Sequence, residues 1–154
     1  MTQSTFNAEA FLQNTVDKGM DTALIPVPEG PHKAQVVKLS LARLEARDGK
    51  DEATILEVTW EPMDESVKKA TGLDHPQVRQ AIWLDLTPQG GLDASKGKNV
   101  QLGKLREAVG QNKDGKKWTI AHLNNAVATI LVEHRPDKND PSIVYANVKK
   151  VAAA

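Results

Sequence analysis

Five separate runs of alternating apolar and polar residues limit the fold of this chain more than any other feature. Successive side chains of a β-strand point to opposite faces, so a period of two predicts strands with one buried face. The runs are "HKAQVVKLSLARLEA", "ATILEVTWEP", "VRQAIWLDL", "NNAVATILVEHR" and "SIVYANVKKV". In the first run the alternating apolar residues are Val37, Leu39 and Leu41. Between the third and fourth runs, "NVQLGKLREAVGQN" places Val100, Leu102, Leu105 and Val109 on one helical stripe. The predicted order is therefore strand, strand, strand, helix, strand, strand.

The connections between these runs carry residues that turns and helix ends prefer. Asp48-Gly49 predicts a tight turn that joins the first two strands as a hairpin. The stretch "MDESVKKATG" predicts a brief helix with Asp64 as its N-cap and Gly72 at its end. For the main helix, Asn99 is the predicted N-cap and Gly110 the stop signal.

This order of elements predicts a mainly β fold with one main helix, an OB-fold-like five-stranded Greek-key barrel. An SH3-like barrel and an α+β sheet with the helix on one face have a similar order and remain alternatives. We predict an N-terminal extension over residues 1–29, the barrel over residues 30–151 and a short tail over residues 152–154. Within the extension, residues 7–16 predict a short amphipathic helix, and "IPVPEGP" predicts extended chain.

Length and composition agree with one domain that needs no covalent support. A chain of 154 residues can bury a hydrophobic core, and the absence of cysteine excludes disulfides, thiolate nucleophiles and cysteine-based zinc sites. The first residues show neither the basic region nor the apolar region of a secretory signal, and no apolar run approaches the roughly 20 residues of a membrane helix. We therefore expect a cytoplasmic protein with no membrane partner.

Charge is balanced overall but unevenly distributed. The chain has 20 basic and 20 acidic side chains, which argues against a polybasic nucleic-acid binder. Residues 43–74 contain five basic and nine acidic side chains, whereas residues 93–117 contain seven basic and three acidic ones. One basic flank is enough to bind an anionic polymer, although two ordinary solvated faces would give the same counts.

Motifs of catalysis and cofactor binding are missing from the sequence. In the loop "TPQGGLDASKGKNV", five residues separate Gly91 from Gly97 and Asn99 follows Lys98, so the spacing and hydroxyl of a P-loop are absent. No G-x-G-x-x-G, H-E-x-x-H or G-x-S-x-G motif occurs either. We expect no cofactor, no metal and no enzymatic activity, and a metal-dependent nuclease built from distant carboxylates is the remaining catalytic alternative.

Three stretches give the chain a resemblance to a known group of proteins. They are "PEGPHKAQVVKL", "WLDLTPQGGLDASKGKNVQLGKLREAVGQN" and "ILVEHRPDKNDPSIVYANVKKV". Over residues 26–151 this pattern resembles small tailed-phage proteins that bind single-stranded DNA or assist replication and recombination, and these have an OB-fold. The resemblance implies a location in the host cytoplasm. One departure is the end of the chain, "VKKVAAA", where bacterial single-stranded-DNA-binding proteins usually have an acidic tail that recruits partners.

Binding of single strands needs flat side chains for stacking and cations for the backbone. Trp83 lies with Arg79 on the polar face of the third run, a strand of the usual OB binding surface, unless the N-terminal extension covers it. Lys96 and Lys98 are predicted to contact phosphates. The alternative is that their loop is merely solvated. The predicted nucleic-acid-binding residues are Trp83, Arg79, Lys96, Lys98, Arg135, Lys138 and Trp118.

The other aromatic residues are predicted to be mainly structural. Trp60 is in register with Leu56 and Val58 and should lie in the core. Tyr145 should also be mainly core, with its hydroxyl at the edge of the barrel. Trp118 follows a lysine-rich turn and either clamps a base or anchors its loop to the barrel.

Together these features predict non-catalytic binding of single-stranded DNA with little sequence preference, which protects or presents strands during phage-type replication or recombination. The alternative is a protein-interaction module of the same barrel fold that binds a replication, recombination or host-defence protein. The sequence leaves the oligomeric state open, a homo-oligomer included.

Overall fold

A closed barrel of five strands forms the body of the protein in a computed structural model that describes residues 6–20, 25–49 and 51–154. Around the barrel the strands follow the order β1-β2-β3-β5-β4, and β4 pairs with β1 to close it. Neighbouring strands are antiparallel except β3 and β5, which are parallel. The strands are β1 (Gly30–Leu44), β2 (Ala53–Pro62), β3 (Val78–Leu84), β4 (Val127–Pro136) and β5 (Val144–Ala152).

Short helices occupy the extension and two of the connections in the described chain. They are α1 (Ala8–Leu12), α2 (Glu65–Thr71) and α3 (Val100–Ala108), and a 3₁₀ turn covers Ile120–Leu123. The main helix, α3, lies between β3 and β4 in sequence and packs against β3 and β5. The predicted element order and the OB-fold-like barrel are confirmed.

The barrel interior is built from one face of each strand. On β2, Leu56, Val58 and Trp60 point inward, as their alternation predicts, and Trp60 is 0 % exposed. Its indole Nε1 donates a hydrogen bond of 2.9 Å to Oε1 of Gln80 on β3, so this buried polar pair is satisfied. From α3, Leu102 and Leu105 belong to the same core.

Four apolar residues are exposed where the sequence pattern predicts burial. Val100 is exposed because the two helical residues between its position and that of Leu102 rotate it by about 200°, away from the side that packs on the barrel. Tyr145 is 49 % exposed, and its neighbour Ala146 packs against the core instead. On β1, Val37 is exposed at a register shift between Val36 and Lys38, where a β-bulge bends the strand, and Leu41 is exposed beyond it.

The residues predicted at the ends of α2 and α3 stand at those ends, but the two predicted N-cap side chains do not cap their helices. Asp64 and Asn99 stand at the N-cap positions of α2 and α3, but neither side chain caps its helix. Gly72 ends α2 with φ 72°, and Gly110 follows α3 with φ 73°. Both are in the left-handed region where a residue without Cβ is favoured.

The N-terminal segment contains an exposed part and a part that contacts the barrel. Residues 6–20 are exposed throughout, and the helix within them ends at Leu12, earlier than predicted. Val27, by contrast, is 4 % exposed and belongs to the core cluster. His134 Nε2 donates to the Val27 carbonyl and His32 Nε2 to the Pro28 carbonyl, each at 2.7 Å. Residues 27 and 28 are therefore held on the barrel.

Candidate nucleic-acid interface

The outer face of β3 presents an aromatic ring and a cation in one row. Because the strand alternates, Val78, Gln80 and Ile82 are buried, and the residues between them point outward. Arg79, Ala81 and Trp83 form this outer row, and Trp83 is 57 % exposed. Trp83 and Arg79 are four residues apart, which is about 13 Å along a strand. The structure thus places both predicted residues on one accessible surface.

The neighbouring row on β2 is apolar at one end and acidic in the middle. Ile55 pairs with Trp83, Glu57 with Ala81 and Thr59 with Arg79. Ile55 is half-buried beside the indole, so that end of the face is suited to a flat apolar ligand. The Glu57 carboxylate accepts a hydrogen bond of 3.4 Å from Ser40 and brings negative charge to this side of β3.

Arg135 lies near Arg79 and is already paired with a carboxylate. These two arginines line one groove of about 340 Å³ together with Asn147. Arg135 donates to Oε1 of Glu133 from Nη2 at 2.8 Å and from Nε at 3.0 Å. Because Arg135 is exposed, water screens this pair, and its charge is only partly available to a phosphate.

The loop between β4 and β5 carries the predicted Lys138 and is held in a defined conformation. Asp137 accepts backbone hydrogen bonds from Asn139 and Asp140, and the Tyr145 hydroxyl donates to its other oxygen at 2.9 Å. These bonds, that from Asn139 first, lower the pKa of Asp137. The hydrogen bond to Asp137 and its negative charge raise the pKa of Tyr145. Lys138 is therefore displayed on a preformed turn.

Lys96 and Lys98 are exposed in the loop between β3 and α3, which fits both a phosphate contact and a merely solvated loop. Asn99 ties this loop down, because its side chain bonds the backbone of Asp85 and of Asp93 at 2.8 Å. The hydroxyl and N–H of Ser95 lower the pKa of Asp93, and the charge of Lys98 lowers it further. Lys98 thus has a carboxylate nearby.

Trp118 is held on the α3 side of the barrel. Its indole Nε1 donates a hydrogen bond of 2.8 Å to Gln111, and the Arg106 guanidinium lies 4.2 Å from the ring centroid. The ring also packs against the core, so the contacts seen here anchor its loop. With Lys98 it lines a groove of about 690 Å³. The predicted residues therefore fall into two groups, one beside Arg79 and one beside α3.

Tyr145 is an exposed aromatic residue whose position the sequence pattern missed. It lines a groove of about 430 Å³ with Arg79, Ile25 and Leu73, next to the outer row of β3. The alternation of β5 was ambiguous because the inward residue beside it, Ala146, is small. An aromatic residue directly before a small core residue is the signal that would have found it.

Over residues 6–20, 25–49 and 51–154, no three histidine, aspartate or glutamate side chains are close enough to hold a metal ion. In the same part of the chain, no helix has the length and apolar character needed to cross a bilayer.

Fold and surface together define the class: an OB-fold-like barrel with an exposed tryptophan and an arginine on its third strand. Comparison with protein-family models and with curated protein sequences gives no match.

Proposed function

We propose that this protein binds single-stranded DNA with little sequence preference and protects or presents the strand during phage-type DNA replication or recombination. The observation that supports it most is Trp83, which is 57 % exposed on the same outer row as Arg79. An accessible indole beside a cation can stack a nucleobase, which is a flat ligand of suitable size.

In this proposal the protein acts by binding and performs no reaction. A base stacks on Trp83, which contributes about 1 to 3 kcal/mol, and this contact is sequence-tolerant because every base has a π-face. Arg79 pairs with a phosphate, which positions the strand without reading its sequence. Lys138 and Lys96, on loops at the two ends of β3, are proposed as further phosphate contacts.

A protein-binding role is the second candidate, and exposed apolar side chains favour it. Within residues 6–20 they are Phe6, Phe11, Leu12, Val16 and Met20. Such a group is typical of a segment that packs on a partner protein. A replication, recombination or host-defence protein is the partner class proposed for this alternative.

Fluorescence anisotropy of a labelled oligo-dT of about 30 nucleotides tests the DNA proposal. We expect binding at low salt that weakens as salt rises, because a strand releases counterions when cations replace them. Trp83→Ala should weaken binding by about 5- to 150-fold, the equivalent of about 1 to 3 kcal/mol. Duplex DNA of equal length should bind less tightly, since its bases cannot stack on the indole.

Two variants separate base stacking from general surface effects. Trp83→Phe keeps an aromatic face and should retain most of the affinity. Phe11→Ala removes an aromatic ring that is equally exposed, at 57 %, but lies outside the barrel, so it should leave the affinity unchanged. If wild-type protein does not bind oligo-dT even at low salt, the DNA proposal is wrong. A purified partner whose binding requires Phe11 would then support the protein-binding role.

A further inference from the structure

A cationic surface lies where β3 and β5 meet. In the described chain these parallel strands share one register pair, Arg79 with Asn147, and α3 packs against both strands. Two grooves of about 410 and 340 Å³ follow this junction and share Gln80, Gln101 and Lys149 in their linings. We name this surface the β3–β5 seam. Its cationic lining residues are Arg79, Lys104, Arg135, Lys149 and Lys150.

Most of this positive charge is not compensated by neighbouring carboxylates. Lys104, Lys149, Lys150 and Arg79 are exposed, and none of them forms a salt bridge with a described residue. One acidic residue lines the two grooves, Glu133, and it pairs with Arg135. Like charges held this close raise the local positive potential and favour a polyanion.

The opposite flank of β3 has the reverse charge. On β2, Glu57 and Glu61 stand on the outer side of the barrel, where Glu57 is next to Ala81 in register. These carboxylates repel phosphates, whereas the seam attracts them. A strand whose base stacks on Trp83 therefore meets lower electrostatic energy if its backbone lies toward β5 than toward β2.

The seam suits a nucleic-acid backbone because it continues the outer row of β3. Arg79 belongs to both surfaces, so a strand can pass from Trp83 into the seam without leaving the protein. Besides its cations, the seam offers the amide side chains of Gln101 and Asn147, which bond phosphate and sugar oxygens and carry no sequence information. An acidic peptide would meet the same charge but has no bases to stack on Trp83.

We infer that the β3–β5 seam is the track of the phosphodiester backbone of single-stranded DNA, with Lys104, Lys149 and Lys150 as phosphate contacts. This inference rests on the proposed function and deepens it. It assigns the main electrostatic part of binding to α3 and β5, away from the loop that contains Lys96 and Lys98.

The salt dependence of binding measures how many phosphate contacts the seam makes. Each phosphate contact on a single strand contributes about 0.7 to the slope of log K against log salt concentration. The triple variant Lys104→Gln, Lys149→Gln, Lys150→Gln should lower the slope for oligo-dT of about 30 nucleotides by about 2. All proteins are the full chain, and circular dichroism checks that each variant is folded.

A matched triple variant removes the same charge elsewhere. Lys18, Lys33 and Lys69 are exposed and line neither groove of the seam, so their replacement by Gln should change the slope by less than about 0.7. Equal slopes for the two triple variants, with intact wild-type binding, would show that the seam is not the track of the DNA backbone. The proposed function would then still stand. Absence of wild-type binding would overturn both.

Lysine footprinting of wild-type protein gives a second readout that needs no variant. With bound oligo-dT, Lys104, Lys149 and Lys150 should be protected from acetylation, whereas Lys33 and Lys69 should react as in free protein. Uniform reactivity in the complex would contradict the inference. A labelled poly-glutamate peptide is the competing probe: if it binds the seam as tightly as oligo-dT, and Trp83→Ala leaves DNA affinity unchanged, the seam is a surface for an acidic protein.

Discussion

Asn99 shows how one side chain can serve a different purpose from the one its position suggests. It precedes α3 and was expected to cap the helix, but its φ is 51° and its amide points back to the end of β3. There it accepts from the Asp85 N–H and donates to the carbonyls of Asp85 and Asp93. Asparagine suits this place because it tolerates a left-handed backbone and both donates and accepts.

We therefore expect replacement of Asn99 to lower the stability of the protein measurably. Asn99→Ala removes three hydrogen bonds that contribute about 0.5 to 1.5 kcal/mol each. We expect it to lower the free energy of unfolding by about 2 to 4 kcal/mol more than Asn125→Ala, measured by urea denaturation. Asn125 is the matched control, because its φ is also positive, at 67°, and its side chain forms no hydrogen bond with a described residue. Equal losses of unfolding free energy for the two variants would show that the three Asn99 hydrogen bonds contribute no stability.

The three tryptophans show which site residues a sequence can locate. Local alternation separates Trp60, in register with Leu56, from Trp83, on the outer face of β3, and the structure agrees with both positions. Trp118 has no such pattern, because its environment is made by Arg106 on α3 and by Gln111. A side chain placed by its own strand is predictable, whereas one placed by a distant element is not.

At the scale of the element, β1 is where alternation fails. The strand pairs with β4 over Gly30–Gln35 and with β2 over Ala34–Leu44, so it must bend between two partners. The bulge near Val37 provides the bend and shifts the inward face by one residue. Val36 is consequently core, although the sequence run placed Val37 in the alternating set. A bulge depends on the partner strands, and no local pattern marks it.

The loop between β4 and β5 contains a hydrogen bond between two titratable side chains, Tyr145 and Asp137. Tyr145 is the one tyrosine in the chain, so tyrosinate absorbance reports this residue alone. Its pKa is raised above 10.0 by the hydrogen bond to Asp137 and by that carboxylate's charge. We expect Asp137→Asn to move the midpoint of this titration down toward the ordinary value, because the amide carries no charge.

The signs of the two pKa shifts define when this contact stabilises the loop. Its contribution is complete at neutral pH and is lost as pH rises through the raised pKa of folded Tyr145. It is also lost as pH falls through the lowered pKa of folded Asp137. Asp140→Asn is the control and should move the tyrosine midpoint less, since Asp140 makes the smallest contribution to that shift. Circular dichroism should show folded protein across the range, and identical midpoints for all three proteins would exclude the contact.

For the whole molecule, zero net charge conceals two sides of opposite sign. Lys104 on α3 and Lys149 and Lys150 on β5 come together because α3 packs across the junction of β3 and β5. Charge counts along the sequence show the basic stretch at residues 93–117, but they do not show that it lies next to β5. Element order, and hence the barrel, follows from local patterns. The seam depends on which elements touch, so it could not be predicted from spacing along the chain.

The folded unit of this protein includes residues that precede β1. Residues 6–20 are exposed, whereas Val27 is buried and its carbonyl is bonded to His134. Removal of residues 1–20 should therefore change the free energy of unfolding by less than about 1 kcal/mol, the range of surface changes. Removal of residues 1–29 should lower it by about 3.5 to 5 kcal/mol, since burial of a valine contributes about 1.5 to 3 kcal/mol and each of the two hydrogen bonds about 1 kcal/mol.

Point variants distinguish the contact at Val27 from a general effect of shortening. In the full chain, Val27→Ala should cost about 1 to 3 kcal/mol, whereas Ile25→Ala, at an exposed position two residues earlier, should cost under about 0.5 kcal/mol. Urea denaturation followed by tryptophan fluorescence measures all four proteins. If both truncations unfold at the wild-type midpoint, Val27 contributes no stability and the folded unit begins at β1. If the longer truncation and Val27→Ala alone are destabilised, the folded unit includes residues 27 and 28, because the barrel then needs that valine to fill its core.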